Sequence, residues 1–432
     1  MYNLIQRIKN ALARCGIALW RINEREDETA ELFFVKKQLD TRRLKDVHKY
    51  EVTVFRDVEA KEVGKPTRGF TSVQLISSMD DGKLDEELKG AYYAAQFAAN
   101  PWFEMPDPVQ GPMVEETGEL AQAPLTQSAG KLARALFAPD THEDAFVNSA
   151  ELFVCRVRRH ILSSEGTDVS FVNSSVNGEF VVQCREPEDV EIHNQFQYEA
   201  LDEAALSAKV AEALSFVRDR ARAQKILKSG KYDLILSGDN VAELLSYYVS
   251  RSAAGMVYSK YSTWQQGEDV QEETEGERLN LTLRAFHPYS PEGIPTGADL
   301  PLLESGKLLT WHGPNRFCRY LGIKPTGDYQ RIACANGDLP FAELKKGPVL
   351  WAVTFSDFQM DAASAHFGGE IRLAYLIDED GTVTPVTGGS INGSILAAQK
   401  DLTFSTDRYL TAEYDGPYAV RLKNVSVAGA GE

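Results

Sequence analysis

The sequence predicts an α+β protein in which N-terminal sheet-and-helix units precede a β-rich, rolled or barrel-like C-terminal domain that carries a central helix. Three observations support this fold class. The chain has 432 residues, more than one hydrophobic core usually accommodates, so several domains are expected. Strand-like and helix-like patterns alternate over the first half. Beyond residue 226, short strand-like runs are separated by Gly and Pro turns, which is typical of a rolled β domain.

Residues 1–99 are predicted to form the first unit, a small sheet with packed helices. Apolar side chains recur at helical spacing in residues 3–14 and 85–99, so both segments are predicted helices. Four further runs are predicted strands: residues 17–21, 30–36, 50–56 and 69–77.

Residues 100–225 are predicted to form a middle α+β unit that follows a proline-rich connector at 100–124. The predicted elements of this unit are a helix at 128–137, four strands within 148–200 and a long amphipathic helix at 202–223. A tight hairpin turn is predicted at Val176-Asn177-Gly178, because Asn-Gly supplies the positive φ angles that such a turn needs.

Residues 226–432 are predicted to form the β-rich C-terminal domain. It begins with a buried strand at 233–237 and a helix at 241–252, and short strands continue from there to the C-terminus.

Charge and cysteine usage restrict the compartment and the partners. The net charge is −17 and the isoelectric point is about 5.0, so the field of the protein repels phosphate groups, and direct binding to nucleic acid is not expected. No apolar stretch is long enough to span a bilayer, so no membrane association is expected. The five cysteines are dispersed without a Cys-x-x-Cys pair, which favours reduced thiols in the cytoplasm.

Common catalytic motifs are missing from the sequence. It has neither a Gly-x-x-x-x-Gly-Lys-Ser/Thr loop nor a Gly-x-Gly-x-x-Gly turn between a strand and a helix, so nucleotide chemistry has no support. The run Gly388-Gly-Ser-Ile-Asn-Gly393 does not have the spacing of a serine nucleophile turn. The seven histidines are scattered, with no two within one helical turn, which favours single structural or surface histidines over a metal site.

The C-terminal part resembles the TldD/PmbA family, whose members are known as peptidases and as modulators of DNA gyrase. Residues 232–255, followed by 256–260, are similar to the strand, central helix and following segment of that family. Further similar fragments occur in the family's order over about 200 residues, whereas residues 1–225 are similar only in layout. These fragments are 291–296, 303–308, 319–322, 326–331, 355–358, 369–371, 384–386, 391–393 and 425–429.

The resemblance implies a difference at the metal motif. TldD-type members hold a metal on His-Glu-x-x-x-His of the central helix and on a cysteine near the C-terminus. In this chain Ser246, Tyr247 and Arg251 occupy the three motif positions, and no cysteine follows Cys334. Arg251 has no lone pair to offer, because its guanidinium stays protonated. The departure resembles the PmbA branch, also called TldE, so no catalytic residue, no metal and no other cofactor is expected.

The resemblance therefore implies a metal-free subunit of a TldD/TldE-like peptidase complex that degrades or processes unstructured peptides. Its expected partners are a TldD-type metal-binding subunit, or a second copy in a dimer, and an extended peptide substrate. Peptidase activity is expected only with the TldD-type partner. The gyrase name is expected to be indirect, which agrees with the acidic charge.

Two alternatives stay open. A stand-alone homo-oligomeric protein could keep the scaffold and bind peptides without catalysis. A hydrolase with new chemistry could instead use Ser246 and Tyr247, with Arg251 as an oxyanion donor. The second alternative needs a general base, and the local sequence places none beside Ser246.

Overall fold

A six-stranded antiparallel sheet forms the N-terminal half of the molecule. The computed structural model of the chain describes residues 4–59, 66–98 and 100–430. The order of strands across this sheet is β3-β2-β1-β4-β5-β6, so β3 and β6 are its edges. Its strands are β1 (Leu19–Val35), β2 (Gln38–Glu59), β3 (Pro66–Leu75), β4 (Ala145–Ser163), β5 (Asp168–Cys184) and β6 (Val190–Tyr198).

Two groups of helices cover different parts of one face of this sheet. The first group buries Ile22 and Val52, and the second buries Ala30 and Leu152. None of the helices within the described residues is long and apolar enough to cross a membrane. The first group is α1 (Leu4–Arg14) and α2 (Asp81–Ala95), and the second is α3 (Glu119–Gln122), α4 (Leu125–Phe137) and α5 (Glu203–Ala221).

The strands are longer and fewer than the sequence predicts. Residues 17–21 and 30–36 were predicted as two strands, but one strand, β1, runs through the charged residues between them. The four strands predicted within 148–200 are three. The helices predicted at 3–14 and 85–99 correspond to α1 and α2, and their predicted ends at Asn3 and Ala99 lie outside the described residues.

The predicted domain boundary at residue 99 would divide the strands of one sheet between two domains. Strands β1 to β3 precede this position and β4 to β6 follow it, and β1 pairs with β4 from Arg21 to Val35. Separate folding of residues 1–99, 100–225 and 226–432 stays a prediction. The connector runs beside the same sheet, since Gln110 and Val114 form bridges to Asp168 and Phe171 of β5.

The hairpin turn predicted at Val176-Asn177-Gly178 is wrong. These residues lie in the middle of β5, where Gly178 is paired with Leu152 on one side and with Phe196 on the other. The phenyl ring of Phe196 lies where a side chain at residue 178 would be, since a Cβ atom there would be 2.9 Å from the ring. Glycine is therefore needed for close packing and not for a turn.

The C-terminal half contains a closed five-stranded barrel and a small second sheet. The barrel order is β12-β7-β19-β15-β13, and pairing of β13 with β12 closes it. The strands are β7 (Gly230–Ser237), β8 (Leu281–Arg284), β9 (Leu300–Glu304), β10 (Lys307–Leu308), β11 (Arg331–Cys334), β12 (Val349–Asp361), β13 (His366–Ile377), β14 (Val383–Val386), β15 (Ser390–Ser394), β16 (Thr403–Phe404), β17 (Arg408–Leu410), β18 (Tyr414–Pro417) and β19 (Ala419–Ala428).

A central helix, α6 (Asp239–Ser252), packs into the core of this domain, as the sequence predicts. Its residues Val241, Leu244, Leu245 and Tyr248 join one apolar cluster with the inward side chains of the barrel strands. The predicted α+β fold class is thereby confirmed, including the barrel-like C-terminal domain. The remaining helices are α7 (Ala254–Tyr258), α8 (Asn315–Tyr320), α9 (Phe341–Leu344), α10 (Ile395–Ala398) and the 3-10 helix Gln399–Asp401.

Gly178→Ala should destabilise the protein, because the added methyl group would lie 2.3 Å from the carbonyl oxygen of Glu151 and against Phe196. Two strands must then separate, and overpacking of this kind costs roughly 1–3 kcal/mol. Gly90→Ala is the matched control. Gly90 lies in the exposed part of α2 with free space around it, so alanine should stabilise the helix by up to about 1 kcal/mol. Urea unfolding should show a lower stability for Gly178→Ala and a higher stability for Gly90→Ala. Unchanged stability in Gly178→Ala would contradict the packing described.

Candidate functional site

A cleft lies between the β6 edge of the N-terminal sheet and the barrel domain. Its volume is about 840 Å³, and a neighbouring cavity of about 610 Å³ shares Gln195, Lys209 and Asp239 with it. Sites for small ligands usually have volumes of about 300–1,000 Å³, so the cleft is large enough for several residues of a peptide. Strands β5 and β6 and helix α5 form one wall, and α6 with residues 355–358 of β12 forms the other.

The start of α6 is fixed by its connection to β7. Gly238 between them has a φ angle of 61°, in the left-handed region that glycine adopts most readily. Its N–H donates to the carbonyl oxygen of Tyr418 at 2.8 Å. One turn further on, the Glu243 carboxylate accepts a hydrogen bond of 2.9 Å from the backbone N–H of Met360. These contacts set the rotation of α6 about its own axis.

This rotation places Ser246 at the cleft. Ser246 lines the cavity together with Ala242 and Glu243 from the preceding turn. Within the described part of the chain, no His, Asp or Glu side chain forms a hydrogen bond with its hydroxyl. Ser246 therefore has no general base, and the arrangement gives no support to a serine nucleophile.

Tyr247 points away from the cleft and into the core. Its side chain is 2% exposed, and its ring lies edge-on to Tyr248 at 5.2 Å and to Trp264 at 5.6 Å between centroids. Burial raises the pKa of the Tyr247 hydroxyl, although the nearby Arg251 opposes the shift. A buried aromatic ring at this position contributes packing energy and no metal ligand.

Arg251 lies on the same indole ring. Its guanidinium is 5.6 Å from the centre of Trp264, and one Nη atom donates to the carbonyl oxygen of Tyr261. The structure thus places Tyr247 and Arg251 together on Trp264 and places Ser246 apart from them. Sequence reasoning did not identify Trp264, because a residue 12 positions after the end of α6 gives no local signal of contact with that helix.

The residues of α6 do not fit a catalytic zinc ion. Such a site needs three nitrogen, sulfur or oxygen donors that converge on one point and leave a further position open. The three motif positions offer one free hydroxyl, one ring in the core and one cation. Within the described residues, one group of His, Cys, Asp and Glu side chains is close enough to hold an ion. None of its members belongs to α6.

Two potential ligands near α6 are already engaged. Nε2 of His312 donates to the carbonyl oxygen of Val249 at 2.9 Å, and burial lowers the pKa of this imidazole. Cys334 in β11 is buried, and burial together with the negative charge of Glu277 raises the pKa of its thiol well above the usual range. Its Sγ also donates to the carbonyl oxygen of Ala335 at 3.4 Å, so the thiol is engaged within the protein.

A hydrogen-bonded trio connects the two walls of the cleft. Nζ of Lys209 on α5 lies 3.1 Å from Asp239 on α6 and 2.9 Å from the hydroxyl of Tyr409 on β17. The Tyr409 hydroxyl also donates to Asp239 at 2.9 Å. Burial and the charge of Asp239 raise the pKa of Tyr409 well above its usual value, so this hydroxyl remains a donor. The trio holds helix α5 of the N-terminal half against α6 and β17 of the C-terminal half.

The remaining charges on the cleft walls are mostly negative. Lys209 is the cation among the residues that line the larger cavity, and Asp239 neutralises it. The carboxylates on these walls are Glu151, Glu179, Asp239, Glu243, Asp357 and Glu413.

Strand β6 presents a partly free edge to the cleft. The carbonyl oxygen of Gln197 accepts a hydrogen bond of 2.8 Å from Ala412, and that of Glu191 accepts one from Arg220. Backbone groups of alternate residues point to the same edge of a strand, so those of His193 and Gln195 point outward as well. Neither residue has a further backbone hydrogen bond on this edge in the described part of the chain. Both residues line the smaller cavity.

Comparison with known proteins identifies this arrangement. Residues 229–429 match the family model of the PmbA/TldA metallopeptidase C-terminal domain. Residues 229–429 thus form a metallopeptidase-related C-terminal domain with a closed barrel and a central helix. The resemblance to the TldD/PmbA family is confirmed for this part of the chain. No curated protein matches the sequence significantly.

Solved structures share the fold over the whole chain. TldE from Thermococcus kodakarensis has a TM-score of 0.78 and 16% identity, covering 98% of this chain and 100% of that one. A proposed modulator of a DNA gyrase from Thermotoga maritima has a TM-score of 0.77 and 16% identity, covering 99% and 100%. A proposed modulator of DNA gyrase from Bacteroides thetaiotaomicron has a TM-score of 0.75 and 15% identity, covering 99% of both chains. Residues 1–225, which were similar only in layout, therefore share the fold too.

Tyr247→Glu should strongly destabilise the protein, because it would put an unpaired carboxylate into the aromatic core. The expected loss is about 3–5 kcal/mol in the free energy of unfolding. Ser246→Glu is the matched control, since the same charge would face the cleft, and its effect should stay within about 0.5 kcal/mol. Thermal unfolding monitored by circular dichroism measures both. Equal losses in the two variants would show that the rotation assigned to α6 is wrong.

Proposed function

We propose that the chain is the metal-free subunit of a two-component TldD/TldE-like peptidase that degrades or processes unstructured peptides. In this proposal the TldD-type partner supplies the hydrolytic metal, and this chain supplies part of the wall of an enclosed chamber. The observation that carries the proposal is the placement of the three motif positions: Ser246 at the cleft without a base, Tyr247 in the core and Arg251 on an indole ring.

The edge of β6 supports a role in holding extended peptides. An extended chain can add to a free strand edge through main-chain hydrogen bonds, which give affinity without requiring a particular sequence. The outward backbone groups of His193 and Gln195 are suited to this, and the cleft beside them has the necessary volume. Such main-chain recognition is appropriate for a protein that accepts unstructured peptides of varied sequence.

The proposal places the protein in the cytoplasm and gives it no direct contact with DNA. All five cysteines are free thiols, which is typical of a reducing compartment. The net charge of −17 opposes binding to a polyanion. Two structural relatives are named as modulators of DNA gyrase, and in this proposal any effect of the chain on gyrase is indirect.

Co-expression with a TldD-type subunit that carries His-Glu-x-x-x-His tests the proposal. The two chains should purify together and cleave an unstructured reporter peptide, and a chelator should abolish cleavage. The isolated chain should not cleave the peptide. Ser246→Ala in this chain should leave the activity of the complex within about two-fold, because the proposal gives Ser246 no chemical role.

Chelator-resistant cleavage by the isolated chain would overturn the proposal. Peptide binding by a homo-oligomer that does not associate with a TldD-type subunit would support the alternative of a stand-alone binding protein. Loss of activity in the Ser246→Ala complex, with assembly intact, would instead favour new hydrolytic chemistry on α6.

Gln195→Pro should weaken peptide binding by the chain about 3- to 10-fold, because it removes one outward N–H donor worth about 0.5–1.5 kcal/mol. Proline is tolerated on an edge strand when its missing N–H points away from the sheet, so the fold should persist. Gln195→Ala is the control, since it alters the side chain and keeps the backbone donor. Fluorescence anisotropy with a labelled unstructured peptide measures both affinities, and equal affinities would exclude the β6 edge as the docking strand.

A further inference from the structure

A polar region interrupts the apolar face of the N-terminal sheet. Side chains of alternate residues in a strand share a face, so Ile22, Glu24, Glu26, Glu28 and Ala30 of β1 all point toward the helices. Ile22 is buried with α1 and α2, and Ala30 is buried with α4 and α5. The three glutamates lie between these helix groups. Three like charges in succession on one strand face repel one another unless cations or protons lie between them.

Two histidines on the neighbouring strands lie beside these glutamates. His48 of β2 is directly opposite Glu26, and His160 of β4 is directly opposite Glu24. Nε2 of His48 is 2.8 Å from one oxygen of Glu24 and 3.6 Å from an oxygen of Glu26. Nδ1 of His160 is 3.3 Å from the other oxygen of Glu24. The pairing of long strands thus fixes four side chains around one point of a rigid sheet.

We propose that Glu24, Glu26 and His48 form a zinc-binding site on this face of the sheet, with His160 positioning Glu24. One atom from each of the three proposed ligands lies within 4.8 Å of the other two. A tetrahedral zinc ion with bonds of about 2.1 Å holds its ligand atoms about 3.4 Å apart. The distances of 2.8 and 3.6 Å from His48 lie on either side of that value, so small side-chain shifts would place the three ligands at three corners of such a tetrahedron.

The surroundings of His160 agree with a role in positioning a ligand. Its Nε2 lies 2.8 Å from Asp168, and its Nδ1 faces Glu24. Carboxylates therefore lie at both ring nitrogens, and a neutral imidazole can donate to only one of them. Carboxylates that bind metals are commonly hydrogen-bonded by residues outside the ligand set, and such bonds orient the ligands.

The ion pair between Glu26 and Arg158 offers little competition to a divalent cation. Nε of Arg158 is 3.8 Å from Glu26, and the Arg158 side chain is 57% exposed. Such an exposed, long pair contributes little free energy, because water and salt screen the two charges. None of Glu24, Glu26 and His48 lines the cleft, so the site is separate from the proposed peptide-binding region. It is independent of the proposed absence of a hydrolytic metal on α6, and it departs from the sequence-based expectation that the chain binds no metal.

Zinc titration of the tag-free full-length chain, in competition with a chromophoric chelator, tests the site. One zinc ion per chain is expected, and His48→Ala and Glu26→Gln should each weaken binding at least 10-fold. His193→Ala is the matched control, because His193 pairs with Glu179 at 3.3 Å and belongs to no group of three possible ligands within the described residues. This variant should bind zinc as the unaltered chain does. Circular dichroism would verify that each variant is folded, and Glu26→Gln changes a side chain that is 39% exposed.

Failure of the folded chain to bind zinc, or unchanged affinity in both His48→Ala and Glu26→Gln, would overturn the inference. Zinc that is lost on Ser246→Ala but kept in those two variants would contradict both this site and the proposed metal-free role of α6. Zinc that is lost only in the sheet variants supports the site and leaves intact the proposal that α6 holds no hydrolytic metal.

Discussion

The packing of α6 against Trp264 is the contact on which the arrangement of the cleft depends. Tyr248 stacks on the indole at 6.1 Å, and its hydroxyl donates to the buried side chain of Gln399 at 2.8 Å. Tyr247 meets the same ring edge-on. Each aromatic pair adds about 0.5–1.5 kcal/mol beyond the burial of its area. With the helix held this way, Ser246 is the one motif position that faces the cleft. The cleft therefore receives a hydroxyl without a general base from this motif.

The cleft itself depends on contacts between distant parts of the sequence. Lys209, Asp239 and Tyr409 come from an N-terminal helix, the central helix and a late strand, and they join around one hydrogen-bonded trio. A family scaffold can therefore lose its metal ligands and still keep a defined cavity, since the cavity walls are held by residues outside the motif. This is consistent with a subunit that shapes a peptide-binding chamber while a partner carries out hydrolysis.

Local patterns predicted the helices and the order of the C-terminal elements well, because α5 and α6 have clear helical periodicity. They failed where long-range pairing determined the structure. The charged residues 22–29 appeared to divide β1, yet this part of the strand crosses an uncovered region of the sheet face. Gly178 suggested a turn, whereas its actual neighbour is Phe196. The pairing of Glu26 with His48 depends on the strand register, and the only local signal was the alternation of Glu24, Glu26 and Glu28.

Anomalous diffraction at the zinc edge, from crystals of the isolated chain soaked in zinc, is the most direct test of the central claim that α6 holds no hydrolytic metal. An anomalous peak is expected between His48 and Glu24 and none within bonding distance of Ser246. A peak coordinated by residues of α6 would contradict the claim, because the chain would then carry a metal at the position where its side chains leave no ligand set.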